Sequence, residues 1–135
     1  MINYIITAII VLVIDIIWLY LNRKNYNNLV IKIQGSKIQL NLLGALISYP
    51  LIIAGLFIFA IPLIKYEYQK NKKQSLLLLS LFYGGLLGLV IYGVFNGSNI
   101  GIFKNYDLKI AFMDTIWGFC LYSFGSYLFM KLEGY

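Results

Sequence analysis

The chain has 135 residues, of which 61% are hydrophobic and only 12% charged, about half the charged share of a soluble globular protein. That composition excludes an ordinary water-soluble domain, and four apolar blocks of membrane-spanning length exclude a disordered chain, a collagen-like repeat and a disulfide framework. The basic residues behind the net charge of +6 sit outside those blocks or at their very ends, which points to the lipid bilayer and its anionic headgroups as partner rather than to nucleic acid.

The first block runs from Ile2 to Leu21. At about 1.5 Å per residue it crosses a hydrocarbon core of about 30 Å as a helix. It has no basic leader and no Ala-x-Ala site, and Asn22-Arg23-Lys24 follows it, so it reads as an anchor rather than a cleaved signal. In the link after it, Tyr26, Leu29, Val30 and Ile33 share one helical stripe that stops at Gly35. This predicts a short amphipathic helix lying in the headgroup plane. The second block, Leu42 to Ile64, contains Pro50 and Pro62, which predict a kink near its first third and a break near its end. A short basic link leads to the third block, Ser75 to Phe95. A polar, glycine-containing link from Asn96 to Asp107 then leads to the fourth, Leu108 to Met130.

Backbone groups in lipid must be bonded within their own segment, and the alternation of barrel strands is absent. The expected fold is therefore all-α: a single domain over residues 1–135 forming a four-helix transmembrane bundle, with an interfacial amphipathic helix in the first loop. Four crossings make the protein integral and multi-pass, with both termini on one side and the first and third links on the other, here side A. Side A carries six basic residues and the opposite side five, so the positive-inside rule leaves the orientation open.

Two acids fall inside the apolar blocks, Asp15 and Asp114. A charge at membrane depth costs about 2.5 to 3.5 kcal/mol even on the lenient insertion scale, so both need a reason. Asp15 lies six residues before the side A end of its helix, and Asp114 six residues after the side A start of its own. Both therefore sit about 9 Å below one surface. Each is followed three residues later by a tryptophan, Trp18 and Trp117, on the same helical face. Trp18 reads as an interfacial anchor, whereas Trp117 is deeper and packs in the bundle.

On the third helix Gly84, Gly88, Tyr92 and Asn96 recur every four residues, and on the fourth Asp114, Gly118, Tyr122 and Ser126 do the same. Gly84, Gly88 and Gly118 read as close-packing positions. A polar pocket opening to side A follows, built from Asp15, Tyr92, Asn96 and Asp114, with Tyr49 and Thr115 as supporting partners. The only lysine or arginine inside the four blocks is Lys109, at the side A end of the fourth, so none lies at the depth of the acids to balance them. Three resolutions remain: a trapped proton, a bound cation, or water.

These residues also resemble a known family. Asp15-Ile16-Ile17-Trp18-Leu19, Tyr26, Tyr49 through Gly55 to Pro62, Gly84 through Gly88 to Tyr92 and Asn96, and Asp114-Thr115-Ile116-Trp117-Gly118 are similar to the domain of unknown function 2177 family of small multi-pass membrane proteins, over nearly the whole chain. That family's marker segment reads Tyr-Asp-Leu-Thr-Asn. Here it stands as Tyr92-Gly93-Val94-Phe95-Asn96, so Gly93 replaces the acid and Phe95 the threonine. The resemblance implies four helices and nominates these residues, and it carries no activity. A small, AT-rich member with trimmed loops looks like a viral or compact-genome version.

Two functions compete. In one, the protein is a transporter or channel in which Asp15 and Asp114 bind a proton or a cation. Four short helices enclose only a narrow site, which a homo-oligomer would enlarge. In the other, it is a non-catalytic structural or assembly membrane protein whose acids clasp helices. The chain has no histidine and no Gly-x-Ser-x-Gly elbow, which removes imidazole ligands and the usual nucleophile dyads, so no metal, no cofactor and no enzyme are expected. Cys120, the single cysteine, reads as a small packing residue inside its helix.

Overall fold

In a computed structural model that describes residues 1–135, the chain is all-helical and has no strand. Helix α1 is Ile2–Leu21 and α2 is Arg23–Gln34. Helix α3 runs unbroken over Leu42–Lys70 and α4 over Leu76–Ile102; α5 is Leu108–Leu132. Three of them, α1, α3 and α4, are long and apolar enough to cross a membrane. This differs from the four equivalent spans expected. At 25 residues α5 has the length, but it packs against α1, α3 and α4 and carries Asp114, Ser123 and Ser126 among its buried residues. It is the axis of the bundle, and an axial helix needs less apolar surface than one facing lipid.

The outer helices are apolar on the outside. On α1 the inward stripe is Thr7, Val11 and Asp15, one turn apart, while Ile5, Ile9 and Ile16 are more than half exposed. A helix in water has the opposite arrangement. With 27 of 135 residues buried, most of the aliphatic side chains face outward, where acyl chains solvate them. Cys120 is also exposed, on an outward face rather than inside the packing, which corrects its expected place.

The apolar core lies in the half of the bundle away from side A. Val11, Leu56, Ala60, Ile61, Ile64, Leu121, Phe129 and Met130 form it with Leu76, Leu79 and Tyr122. The chain ends close that half. Asn3 Nδ2 donates to the Leu132 carbonyl at 3.1 Å and to Glu133 Oε1 at 2.8 Å. Lys65 pairs with Glu133 at 3.3 Å, and these two partners, Asn3 first, hold the Glu133 carboxyl below its ordinary range. At side A the helices are less tightly joined: Leu42–Ala54 of α3 buries no residue.

The proline at position 62 does not break α3, contrary to expectation. The turns before it, Gly55–Ala60, are π-helical, and the wider turn gives the pyrrolidine ring room. A second π segment, Ser80–Gly85, follows the first α-helical turn of α4, Leu76–Leu79. Helix ends also move relative to the sequence reading: α3 continues past Ile64 to Lys70, and α4 continues past Phe95 to Ile102. Asn96 therefore stands well inside α4, as its four-residue stripe requires, rather than at the first position of a link. Helix α2 forms where the stripe places it, with Leu29 buried and Gly35 closing it at φ +75°.

Helices α4 and α5 pack along their four-residue stripes. A Cβ at Gly84 would meet Ser126, one at Gly88 would meet the Gly118 carbonyl, and one at Gly118 would meet the Tyr92 ring. At Gly88 the obstacle is backbone, which cannot rotate away. Gly88→Ala is therefore expected to cost about 1–3 kcal/mol by forcing the helices apart, read as a lower melting temperature in detergent. Gly97→Ala, which faces open space, is the control and leaves the temperature unchanged or higher.

Candidate functional site

The approach of α4 to α5, allowed by the glycines, brings Asn96 against Asp114. Asn96 Nδ2 donates to Asp114 Oδ2 at 2.8 Å and to the Tyr92 carbonyl one turn back at 2.9 Å. Asn96 Oδ1 accepts from the Tyr106 hydroxyl at 2.9 Å. These contacts fix which way the amide points. Thr115 donates to the Ala111 carbonyl at 2.8 Å and meets Asn96 at 3.4 Å, a supporting contact.

The other oxygen of Asp114 is taken by α2. Tyr26 on α2 donates its hydroxyl to Asp114 Oδ1 at 2.6 Å. Tyr26 in turn accepts from Trp18 Nε1 at 3.1 Å. Burial, then the bond to Asp114, pushes the Tyr26 phenol above its ordinary range, and burial does the same to Tyr106. Both stay protonated donors. Each oxygen of Asp114 thus holds a neutral donor, and donors and acceptors match when the group acts as acceptor alone.

Asp15 is held differently. Its Oδ1 accepts from Trp117 Nε1 at 2.9 Å and lies 3.5 Å from the Tyr92 hydroxyl. Its Oδ2 has no donor from the protein. The rings of Trp18 and Trp117 stack with centroids 4.4 Å apart and planes 3° from parallel. Each tryptophan therefore serves the acid of the other helix: Trp117 bonds Asp15 directly, and Trp18 reaches Asp114 through Tyr26. Trp18, expected only as an anchor, is thus also a packed member of the network. The two acids are 5% and 7% exposed, and no lysine or arginine bonds either. No group of three metal-ligating side chains comes together here.

Asp15, Tyr92, Asn96, Asp114, Trp18, Trp117 and Thr115 are thus brought into one network. Tyr49 is not: it lies half-buried on the loosely packed half of α3, within electrostatic reach of Asp15 and bonded to neither acid. Tyr122 lies on the expected stripe but donates to the Ile52 carbonyl at 2.9 Å, tying α5 to α3. Tyr26 was nominated by the family resemblance and by the α2 stripe but was not placed in the pocket, because nothing marked its hydroxyl as a partner of Asp114; Tyr106, just before the first turn of α5, was missed and carried no signal.

Asp107 caps that first turn. Its carboxylate accepts from the Lys109 and Ile110 amides at 2.9 and 3.3 Å. The Ile110 amide, then the Lys109 amide and the Lys32 ammonium, hold it below the ordinary carboxylate range. A lowered value stabilises the fold above that range and the contribution disappears as pH falls through the folded value. The melting temperature is therefore expected to drop between about pH 5 and pH 3, and to drop less in Asp107→Asn, whose amide still caps the helix.

A family model described as Predicted membrane protein (DUF2177) matches residues 1–130. No curated protein and no solved structure matches the chain.

Proposed function

Since the chain belongs to this family of predicted membrane proteins, we propose that it is a small proton- or cation-binding transporter or channel, in which Asp15 takes the ion and Asp114 fixes the helices around it. The reading rests on one observation: a nearly buried carboxylate with one oxygen held by Trp117 and the other free of any protein donor. An acid this deep is costly, and an exchangeable ion on its open oxygen offsets that cost. In this reading α5 crosses the bilayer with α1, α3 and α4, and both termini lie on the side opposite the site. The loosely packed half of α3, Leu42–Ala54, borders the route from side A, with Tyr49 along it. The function is binding and passage rather than catalysis.

Asp114 favours a second reading for its own part of the site. With both oxygens engaged, it has the chemistry of an interhelical clasp joining α2, α4 and α5. If Asp15 is no more than a clasp as well, the protein is a structural or assembly component. Liposomes containing the purified protein and a pH-sensitive dye separate the two. The transport reading expects proton entry under an imposed gradient, or proton movement coupled to a sodium or potassium gradient. Dye traces indistinguishable from empty liposomes under all of these gradients would favour the structural reading.

A further inference from the structure

At the rim of side A, the underside of α2 and the first turn of α5 enclose a pocket of ≈ 380 Å³. Its floor is apolar, with Leu29 and Ile110 almost fully buried and Met113 beside them. Its rim carries Lys32, Lys109 and the amides of Asn25 and Asn28. Lys32 shares its charge with Asp107 at 3.5 Å; Lys109 makes no ion pair. The surrounding face adds Arg23, Lys24, Lys37 and Lys104; the one acid is Asp107, which is half-buried in the pocket wall with its charge taken by Lys32 and by the first-turn amides of α5. The pocket therefore combines what a phospholipid presents at the interface: anionic oxygens above and hydrocarbon below. It also lies at the right depth, because α2 follows directly from the end of α1 and the pocket sits on the first turn of α5.

We infer that this pocket is a binding site for an anionic glycerophospholipid. Lys109 and Lys32 meet the phosphate oxygens, the Asn25 and Asn28 side chains donate to the headgroup, and one acyl chain lies over Leu29, Ile110 and Met113. The inference needs the protein to sit in a membrane but does not depend on ion binding at Asp15. It also gives α2 a second hold beside Tyr26, since a lipid wedged beneath it bridges α2 to α5.

The test is native mass spectrometry of the full chain in detergent with phosphatidylglycerol or phosphatidylcholine of matched acyl chains. One phosphatidylglycerol is expected to be retained with at least about tenfold preference, on the basis of two lysines near the phosphate. K109Q, which breaks no ion pair, is expected to lower retention several-fold, and K32Q/K109Q to remove the preference. K70Q/K72Q, at the other end of the bundle, leaves it intact. Equal retention of the two lipids, a preference that survives in K32Q/K109Q, or displacement of the lipid by millimolar inorganic phosphate would each overturn the proposal. The last would identify a free-phosphate site instead.

Discussion

Asp15→Asn is expected to reduce ion flux in liposomes to the level of empty vesicles while the protein stays folded. The amide keeps an oxygen for the Trp117 indole, so the bond at 2.9 Å survives. Its nitrogen takes the place of Oδ2, where no protein donor stands to clash with it. The stability cost is therefore within about 1 kcal/mol, the net worth of an ordinary hydrogen bond. The exchangeable charge is lost, because an amide neither binds a proton near neutral pH nor attracts a cation. Flux measured with the dye, together with a melting curve in detergent, checks both halves. Normal flux in the folded variant would assign the ion elsewhere.

Asp114→Ala has the largest expected effect on stability. It strands the half-buried Tyr26 hydroxyl and one N–H of the buried Asn96 amide, at about 1–3 kcal/mol each, so a loss of about 2–6 kcal/mol is expected. Asp114→Asn should lose less, about 1–3 kcal/mol. Asn96 already points its nitrogen at the acid, because the Tyr92 carbonyl and the Tyr106 hydroxyl hold it so. The replacing amide must therefore turn its oxygen toward Asn96 and its nitrogen toward Tyr26. The Tyr26 oxygen can accept that nitrogen, but its own proton then has no partner. Equilibrium unfolding in mixed detergent micelles measures the series, and the order wild type, Asn, Ala is the result to look for. Equal stability of the alanine variant and the wild type would remove the clasp.

The contrast between the two acids marks the limit of what the sequence could show. Their shared depth follows from counting residues along two antiparallel helices, and the stripe joining Gly88 to Tyr92 and Asn96 follows from four-residue spacing. Those regularities are local, and they placed most of the network. From sequence, however, the acids are interchangeable, each with a tryptophan three residues on. The split comes from Tyr26, which reaches Asp114 only because α2 turns back over α5, and that contact spans 88 residues. No local pattern encodes it. The exchange of tryptophan partners between α1 and α5 is hidden for the same reason.

The misplaced boundaries have local causes. Pro62 ends a regular α-helix on steric grounds, but a π turn just before it removes the clash. The polar residues after Phe95 read as a link because Asn96, Ser98 and Asn99 disfavour a lipid-facing helix; the Asn96 side chain is instead buried against Asp114. The count of apolar spans differs at α5 because an axial helix exposes less of its surface than the three around it.

The central claim is that one acid exchanges an ion and the other does not. Infrared difference spectroscopy of the protein in lipid, recorded as pH is stepped, follows the carbonyl stretch of protonated carboxyl groups directly. Among the membrane-depth acids, the account predicts a single titrating carboxyl band that is absent in Asp15→Asn and retained in Asp114→Asn. A band that disappears in Asp114→Asn but persists in Asp15→Asn would contradict it.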